Sequence, residues 1–307
     1  MCYSAQIYAS YKKFVRQFGA VMDLKTFVKA VWYDPAKKPQ KWPKAMEDAF
    51  ADPQTDEERQ IRDALARWRA DEIAKLEQEL FAQTKRKADA ERTLQTKTTK
   101  TATESLRIAG NKIEQIKGRL SDLKRSEPKD SDSRIYPGYY APVMVWEDGR
   151  RVVKPMRYQC RIDGVPAEFD RKFPGTYNAR RDSLEKYWRK QFGTFHGVIL
   201  AQAFYEHVDQ NGKDVVLEFK PSTGQDMIVA CLWSRWIGRD GEELLSFAAI
   251  TDDPPAEVAA AGHDRCIIPI KLEHIDVWLN PDPKNLAAQY AILDDRERPH
   301  YEHRMAA

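Results

Sequence analysis

From Thr55 to Leu94 the chain contains neither proline nor glycine, and charged residues of alternating sign surround Ile61, Leu65, Trp68, Ile73, Leu76 and Leu80. An α-helix sets apolar residues at three- and four-residue spacing on one stripe while leaving that much charge in water. A second run, Leu106, Ala109, Ile113, Ile116, Leu120 and Leu123, repeats the spacing. Between them Thr93 to Thr103 is rich in Thr and Lys, which are poor choices for a helix interior in the case of Thr. The pattern predicts an antiparallel helical hairpin with arms of roughly 30–40 Å at 1.5 Å per residue. One continuous helix through Thr93 to Thr103 is the alternative. Such an arm explains why 32% of the 307 residues are charged and why mean hydropathy is −0.68. In its plainest role it is a spacer or a dimerisation arm.

The remainder is long enough for a real core. Ser10 is placed to cap a helix in which Tyr11, Phe14, Val15 and Phe18 recur up to Gly19, and Leu24, Phe27, Val28 and Val31 repeat the pattern until Asp34-Pro35 stops it. Pro35 to Pro53 reads as an irregular connection, and Ser126 to Ser133 as a polar linker. Beyond it Val143-Met144-Val145-Trp146, the turn residues Asp148-Gly149 and Val152-Val153 predict a hairpin. Further strands are expected at 197–203, 215–219, 227–233, 244–250 and 266–270, with turns at Asn211-Gly212 and Asp240-Gly241. Helices are expected at 184–192, 255–261 and 272–279, and the charged segment after Pro281 as a solvent-facing tail. The fold class is α+β, built mainly on antiparallel sheet with flanking helices and an inserted helical hairpin.

Composition narrows the functional classes. A net charge of +3 permits a local nucleic-acid-binding patch without demanding one. Cys2, Cys160, Cys231 and Cys266 are far apart, with no CxxC pair and no Cys/His cluster at zinc spacing. We expect reduced thiols, no metal and no cofactor. The longest apolar run, Met227 to Trp233, is too short to span a bilayer. A soluble, cytoplasmic protein is expected, nucleoid-associated if bacterial.

The chemistry starts at Met1-Cys2. Removal of Met1 would leave Cys2 with a free α-amine beside its thiol, a pair that condenses with an aldehyde to an imine and then closes a thiazolidine ring. Their unperturbed pKa values, about 7.7–8.0 and about 8.5, leave each an appreciable nucleophilic fraction near neutrality. A cysteine at a frayed terminus can equally be an accident. Four clusters hold residues such a site would need. Tyr177-Asn178-Ala179-Arg180-Arg181 offers an amide and two guanidiniums, although Arg180 also suits a surface ion pair. Glu206 ends an apolar strand, where it can shuttle protons or simply face solvent. His263, followed by Asp264 and Arg265, is a proton carrier or a mere turn residue. Cys231-Leu232-Trp233-Ser234 reads as core.

Met1-Cys2, Lys154-Pro155-Met156-Arg157-Tyr158, Tyr177-Asn178-Ala179-Arg180, Phe204-Tyr205-Glu206, Val229-Ala230-Cys231-Leu232-Trp233 and His263-Asp264-Arg265 with Ile268-Pro269 follow the order and spacing of the SRAP family, the abasic-site processing proteins also labelled SOS response-associated peptidases. Each motif is short, but together they form a specific signature. The resemblance covers the first ~20 residues and roughly 134 to 280. It implies a domain assembled from 1–34 and 134–282, with 35–133 inserted and 283–307 as tail. It also implies recognition of abasic sites in single-stranded DNA and their capture by Cys2 as a covalent thiazolidine crosslink, with self-removal of Met1 behind the peptidase label and a lyase-like activity. Asn178 resembles the family asparagine beside the cysteine, Arg180 its phosphate-binding arginine, Glu206 its proton-handling glutamate and His263 the histidine tied to sugar opening and reversal. Arg157 and Arg181 are further candidates for the DNA backbone, and Tyr177 and Trp233 for stacking on bases.

The sequence departs from the family at Tyr3-Ser4, where Gly-Arg is usual, at Tyr158-Gln159 in place of Trp-Gly, and in the 35–133 insertion. Two other classes compete with the crosslinking enzyme. One is a non-catalytic single-stranded-DNA module whose arm recruits a protein partner or a second copy. The other is a Cys-dependent peptidase, disfavoured because nothing resembles a Cys–His–Asn arrangement.

Overall fold

The computed structural model describes residues 4–7, 11–31 and 40–306. Cys2, the cap expected at Ser10 and the stop expected at Asp34-Pro35 lie outside the described residues. Two compact units emerge, one drawn from Met1–Ala30, Gln40–Glu58 and Asp130–Ala307, the other from Val31–Pro39 and Arg59–Lys129. The chain opens with β1 (Ser4–Ile7), α1 (Tyr11–Phe18), β2 (Val21–Met22), α2 (Leu24–Val31) and the short α3 (Lys44–Asp48).

Next comes the charged stretch. Thr55 opens α4 (Asp56–Thr96) with a capping box: its Oγ1 accepts from the Glu58 backbone N–H at 3.2 Å, and Glu58 Oε2 accepts from the Thr55 N–H at 3.3 Å. α4 has 41 residues, about 60 Å at 1.5 Å per residue, and so is longer than the periodicity alone predicts. The helix runs through its threonines, whose hydroxyls turn back on it: Thr93 Oγ1 donates to the Asp89 carbonyl and Thr96 Oγ1 to that of Thr93. The break falls at Lys97 to Thr99, where the Thr99 side chain accepts from Ala102 N and caps the 25-residue α5 (Lys100–Lys124). A hairpin therefore forms, not one continuous helix. Its seam buries Leu76, Ile116 and Leu120 against Ile73, Leu80 and Leu123, flanked by Glu72–Arg119 and Glu77–Lys124 pairs at 2.6 Å. No helix among the described residues is long and apolar enough to cross a membrane.

The other unit is built on sheet. β3 (Arg134–Ile135), β4 (Tyr140–Glu147), β5 (Arg150–Tyr158), α6 (Phe169–Lys172), β6 (Asn178–Arg180), β7 (His196–Gln210), β8 (Lys213–Pro221), β9 (Met227–Ile237), β10 (Glu243–Asp252), α7 (Ala256–Ala260), β11 (Cys266–Ile267), α8 (Ile275–Leu279), α9 (Leu286–Asp294) and β12 (Tyr301–Met305) follow in order. β4 pairs β5 and β7, β7 pairs β9, β9 pairs β10, and a short parallel ladder from β10 to β5 closes these strands into a barrel. Asp148-Gly149 and Asn211-Gly212 turn their hairpins with left-handed φ angles of 51°, 75°, 57° and 78°, as a two-residue loop requires.

Both faces of the barrel strands are buried. Val143, Val145, Ile199, Ala201, Val229, Cys231, Phe247 and Ala249 share one cluster, while the alternating Met144, Val198, Leu200, Ala230, Leu232, Ala248 and Ile250 pack with Phe14, Trp188, Trp278 and Leu293 in the other. Two expectations change here. Leu184, Trp188 and Phe192 are buried at their helical spacing, yet their backbone is a run of turns in which Trp188 N reaches Ser183 O and Gln191 N reaches Trp188 O. Packing selected the side-chain stripe without demanding a regular ladder. The segment after Pro281 is no solvent-facing tail: α9 buries Gln289, Ile292 and Leu293, and β12 adds to β8 with Tyr301 buried.

β7 starts with a tightly held pair. His196 Nδ1–H donates to the Trp278 carbonyl at 2.9 Å while Nε2 accepts from the Gly193 N–H at 2.8 Å, so the ring must be neutral, and burial pushes its pKa down to about 3. The unfolded histidine takes up a proton as pH falls through about 6.5 and the native one does not, so acid costs stability by up to about 1.4 kcal/mol per pH unit. In urea titrations, the stability advantage of wild type over His196→Asn is expected to shrink by about 2 kcal/mol between about pH 7.5 and about pH 5. At the neighbouring Gly197 a Cβ would meet Val143 Cγ1 at 2.9 Å, Cys231 Sγ at 3.2 Å and the Met144 carbonyl at 3.3 Å. Gly197→Ala is expected to lower unfolding free energy by about 1–3 kcal/mol, read from the same titrations.

Candidate active site

The residue alternation of β7 breaks once, and the candidate site depends on that break. In the pairing with β1, Ile7 lies opposite Ala201 and Gln6 opposite Ala203, so Gln202 is an extra residue, a β-bulge. Before it the odd-numbered Ile199 and Ala201 face the interior cluster; after it the even-numbered Phe204 and Val208 do. Glu206 shares their parity and is turned inward, 0% exposed. With unbroken alternation it would share the outer face with Val198 and Leu200.

His263 reaches Glu206 from another direction. α7 ends at Ala260, Gly262 adopts φ 97°, and the chain turns to place His263 Nε2 3.2 Å from Glu206 Oε2. His263 is 8% exposed, and burial holds its pKa below the ordinary histidine range. Its Nδ1 lies 2.9 Å from the Arg265 carbonyl and 3.3 Å from the Arg265 N. If Nδ1–H donates to the carbonyl, Nε2 carries a proton only as imidazolium; if Nδ1 accepts from the amide, the neutral ring carries its proton on Nε2, the nitrogen 3.2 Å from Glu206 Oε2. The two side chains approach closely enough for a proton to pass between them, which is what an acid–base relay requires. Asp264 pairs with Arg265 at 3.6 Å, as one of the two readings of this turn anticipated, but that pairing does not divert His263. The Cys266 thiol is pushed up by burial first and then by the Glu206 charge, which keeps it protonated beside the pair.

The other sequence candidates occupy varied settings. Asn178 and Tyr177 are each 7% exposed; β6 runs parallel to β10 with Asn178 opposite Ala249, and the Tyr177 ring meets Tyr158 edge-on at 5.7 Å. Arg180 is half exposed and pairs with Asp182 at 2.8 Å. Arg181 binds Asp252 at 3.1 Å and also Asp294, and Arg157 binds Asp170 at 2.8 Å. Trp233 stands near the end of β7 opposite to Glu206, its indole N–H donating to the His196 carbonyl at 3.2 Å, beside a cavity of about 400 Å³ shared with Tyr140, Lys154, Arg235 and Leu245. Two contributors carried no sequence signal. The bulge at Gln202 leaves the residue types unremarkable, and Arg134 is joined to Ser4 and Tyr205 only by tertiary pairing. Among the described residues no group of three or more His, Cys, Asp or Glu could hold a metal ion.

A sequence model of the family described as SOS response associated peptidase (SRAP) matches residues 91–305. Among solved structures, a protein from Bordetella bronchiseptica is similar at 18% identity and a TM-score of 0.48, covering 62% of this chain and 95% of that one. A protein from Bacteroides thetaiotaomicron is similar at 16% identity and a TM-score of 0.48, covering 57% and 78%. A phage-related protein from B. bronchiseptica is similar at 17% identity and a TM-score of 0.44, covering 60% and 85%. No curated protein matches the chain.

The Glu206–His263 contact has a direct readout. In an NMR titration the His263 ring is expected to gain its proton below the pH of an exposed histidine, because burial favours the neutral form. Glu206→Gln should lower that midpoint further, since the imidazolium loses an anionic acceptor at 3.2 Å.

Proposed function

Because the chain belongs to the SRAP family, we propose that it is an enzyme of DNA-damage processing that captures abasic sites in single-stranded DNA as a covalent crosslink to Cys2. The observation that carries this reading is the buried Glu206–His263 pair, a proton relay at 3.2 Å in the family's own motifs, on a strand whose neighbour β1 begins two residues after Cys2.

In the proposed sequence, Met1 is first removed and the Cys2 α-amine becomes free. Proton exchange through His263 and Glu206 opens the deoxyribose hemiacetal to its C1′ aldehyde. The amine attacks C1′, a proton moves to the carbonyl oxygen, and water leaves as the imine forms. The Cys2 sulfur then adds to the same carbon while its proton passes to nitrogen, so that amine, thiol and aldehyde become a thiazolidine and one water. Because both nucleophiles belong to one residue, the second step is intramolecular. Glu206 accepts the proton that the amine must lose, His263 handles the sugar oxygen and reversal, Asn178 holds the oxyanion, and Arg180 exchanges Asp182 for a phosphate. Removal of Met1 is the self-processing to which the peptidase label refers.

Incubated with an abasic single-stranded oligonucleotide, the protein should give a denaturation-resistant adduct that is lost in Cys2→Ser and when a tag blocks the N-terminus. Equal adduct yield in those controls would sink the mechanism, and an intact mass retaining Met1 would favour a non-catalytic binding module. Glu206→Gln and His263→Ala should slow crosslinking by roughly 10²–10⁴-fold while leaving the fold intact, since each removes one positioned acid–base group.

A further inference from the structure

The residue two places after the nucleophile is Ser4 here, where the family usually carries arginine, and the structure supplies a cation at Ser4 from elsewhere in the chain. Ser4 is 0% exposed and lies opposite Tyr205, the neighbour of Glu206. Arg134, on β3, pairs with Gln6 of β1 and donates from Nε to Ser4 Oγ at 3.0 Å. Its guanidinium lies 3.6 Å from the Tyr205 ring centroid and 5.0 Å from that of Tyr136. The Tyr205 hydroxyl in turn donates to Gln6 Oε1 at 3.1 Å and lies 3.4 Å from Glu218, so the ring under the guanidinium is itself fixed.

What this arrangement leaves unused points to a ligand. Arginines 157, 161, 180, 181, 235, 265, 296 and 304 each pair with a carboxylate, whereas Arg134 makes no ion pair among the described residues. Glu218, the acid beside the Tyr205 hydroxyl, is taken by Arg304. Arg134 spends one donor, Nε, on Ser4; its two Nη groups make no hydrogen bond among the described residues. A guanidinium stacked on an aromatic face and anchored through Nε presents its Nη edge as a rigid fork, the geometry that fits two oxygens of a phosphate.

Resting on the crosslinking function proposed above, we infer that Arg134 binds a backbone phosphodiester of single-stranded DNA flanking the captured residue, and so supplies from β3 the cation that the chain lacks at position 4. Arg134 is a positioning residue: it sets where the sugar lies relative to Cys2 and takes no part in proton transfer.

The test separates this inference from the crosslinking mechanism. Binding of an undamaged single-stranded oligonucleotide is followed by fluorescence anisotropy over a salt series, since it needs no covalent step. For Arg134→Gln we expect about tenfold weaker binding at low salt, as for loss of one charge-assisted contact, and a log–log salt slope shallower by about 0.7. Arg134→Lys should keep the slope and lose several-fold in affinity, because the charge survives without the fork. A series of abasic oligonucleotides, each with one neutral methylphosphonate linkage near the lesion, should then contain a position that slows wild-type crosslinking and leaves Arg134→Gln unaffected. A merely structural arginine would lower the thermal midpoint but show no such position and no change in slope, and that result overturns the inference. Should Arg134→Gln fail to fold, the same scan on wild type and Arg134→Lys decides: no linkage near the lesion that distinguishes them overturns it. Unaltered slopes with a normal Cys2-dependent adduct defeat the role of Arg134 alone. Loss of slope without any adduct in wild type defeats the crosslinking reading and leaves the phosphate contact standing.

Discussion

β7 has to satisfy two demands. As a barrel strand it is buried on both faces, so Val198, Ile199, Leu200 and Ala201 are all apolar and all enclosed. Past Gln202 the same strand turns Glu206, a fully buried carboxylate, into that interior. A charge in such surroundings is tolerated only with a partner, and His263 provides one through a turn that Gly262 permits. β7 joins the barrel to this pair: its first half pairs with β4 and β9 in the barrel, and its second half pairs with β8 and β1 beside Glu206.

Burial serves chemistry as well as stability here. The same desolvation that holds His196 neutral as a structural residue lowers the pKa of His263, but His196 has both ring nitrogens engaged with backbone, whereas His263 Nε2 faces a carboxylate. One histidine is therefore locked in a single protonation state and the other can exchange a proton. Arg134 shows a similar division of labour among cations: most arginines of this unit neutralise carboxylates, and Arg134 is held by rings and a hydroxyl that leave its charge uncompensated.

The helical hairpin has a seam of its own at Leu76, Ile116 and Leu120, with cross-arm ion pairs on its rim. The family match begins at residue 91, inside α4, so most of that helix lies outside it. All of α5 lies within the match, and the arm's fold follows from its own periodicity.

Local pattern was enough for the elements whose cause is local. The arm, the Asp148-Gly149 and Asn211-Gly212 turns, and most strands of the α+β core were legible, because helical spacing, β-branched runs and residues that tolerate positive φ act within a few positions of themselves. The ordered motifs also pointed to the family and named Glu206 and His263 as candidates. Only the tertiary structure decided that these two side chains meet, that a bulge turns one of them inward, that residues 184–192 bury a helical stripe on a non-helical backbone, that the segment after Pro281 completes the core, and that Arg134 stands beside Ser4. Each of these depends on contacts between residues far apart in the chain, whose cost in ordering entropy is recovered only when the barrel is closed, and no spacing within a single segment encodes them.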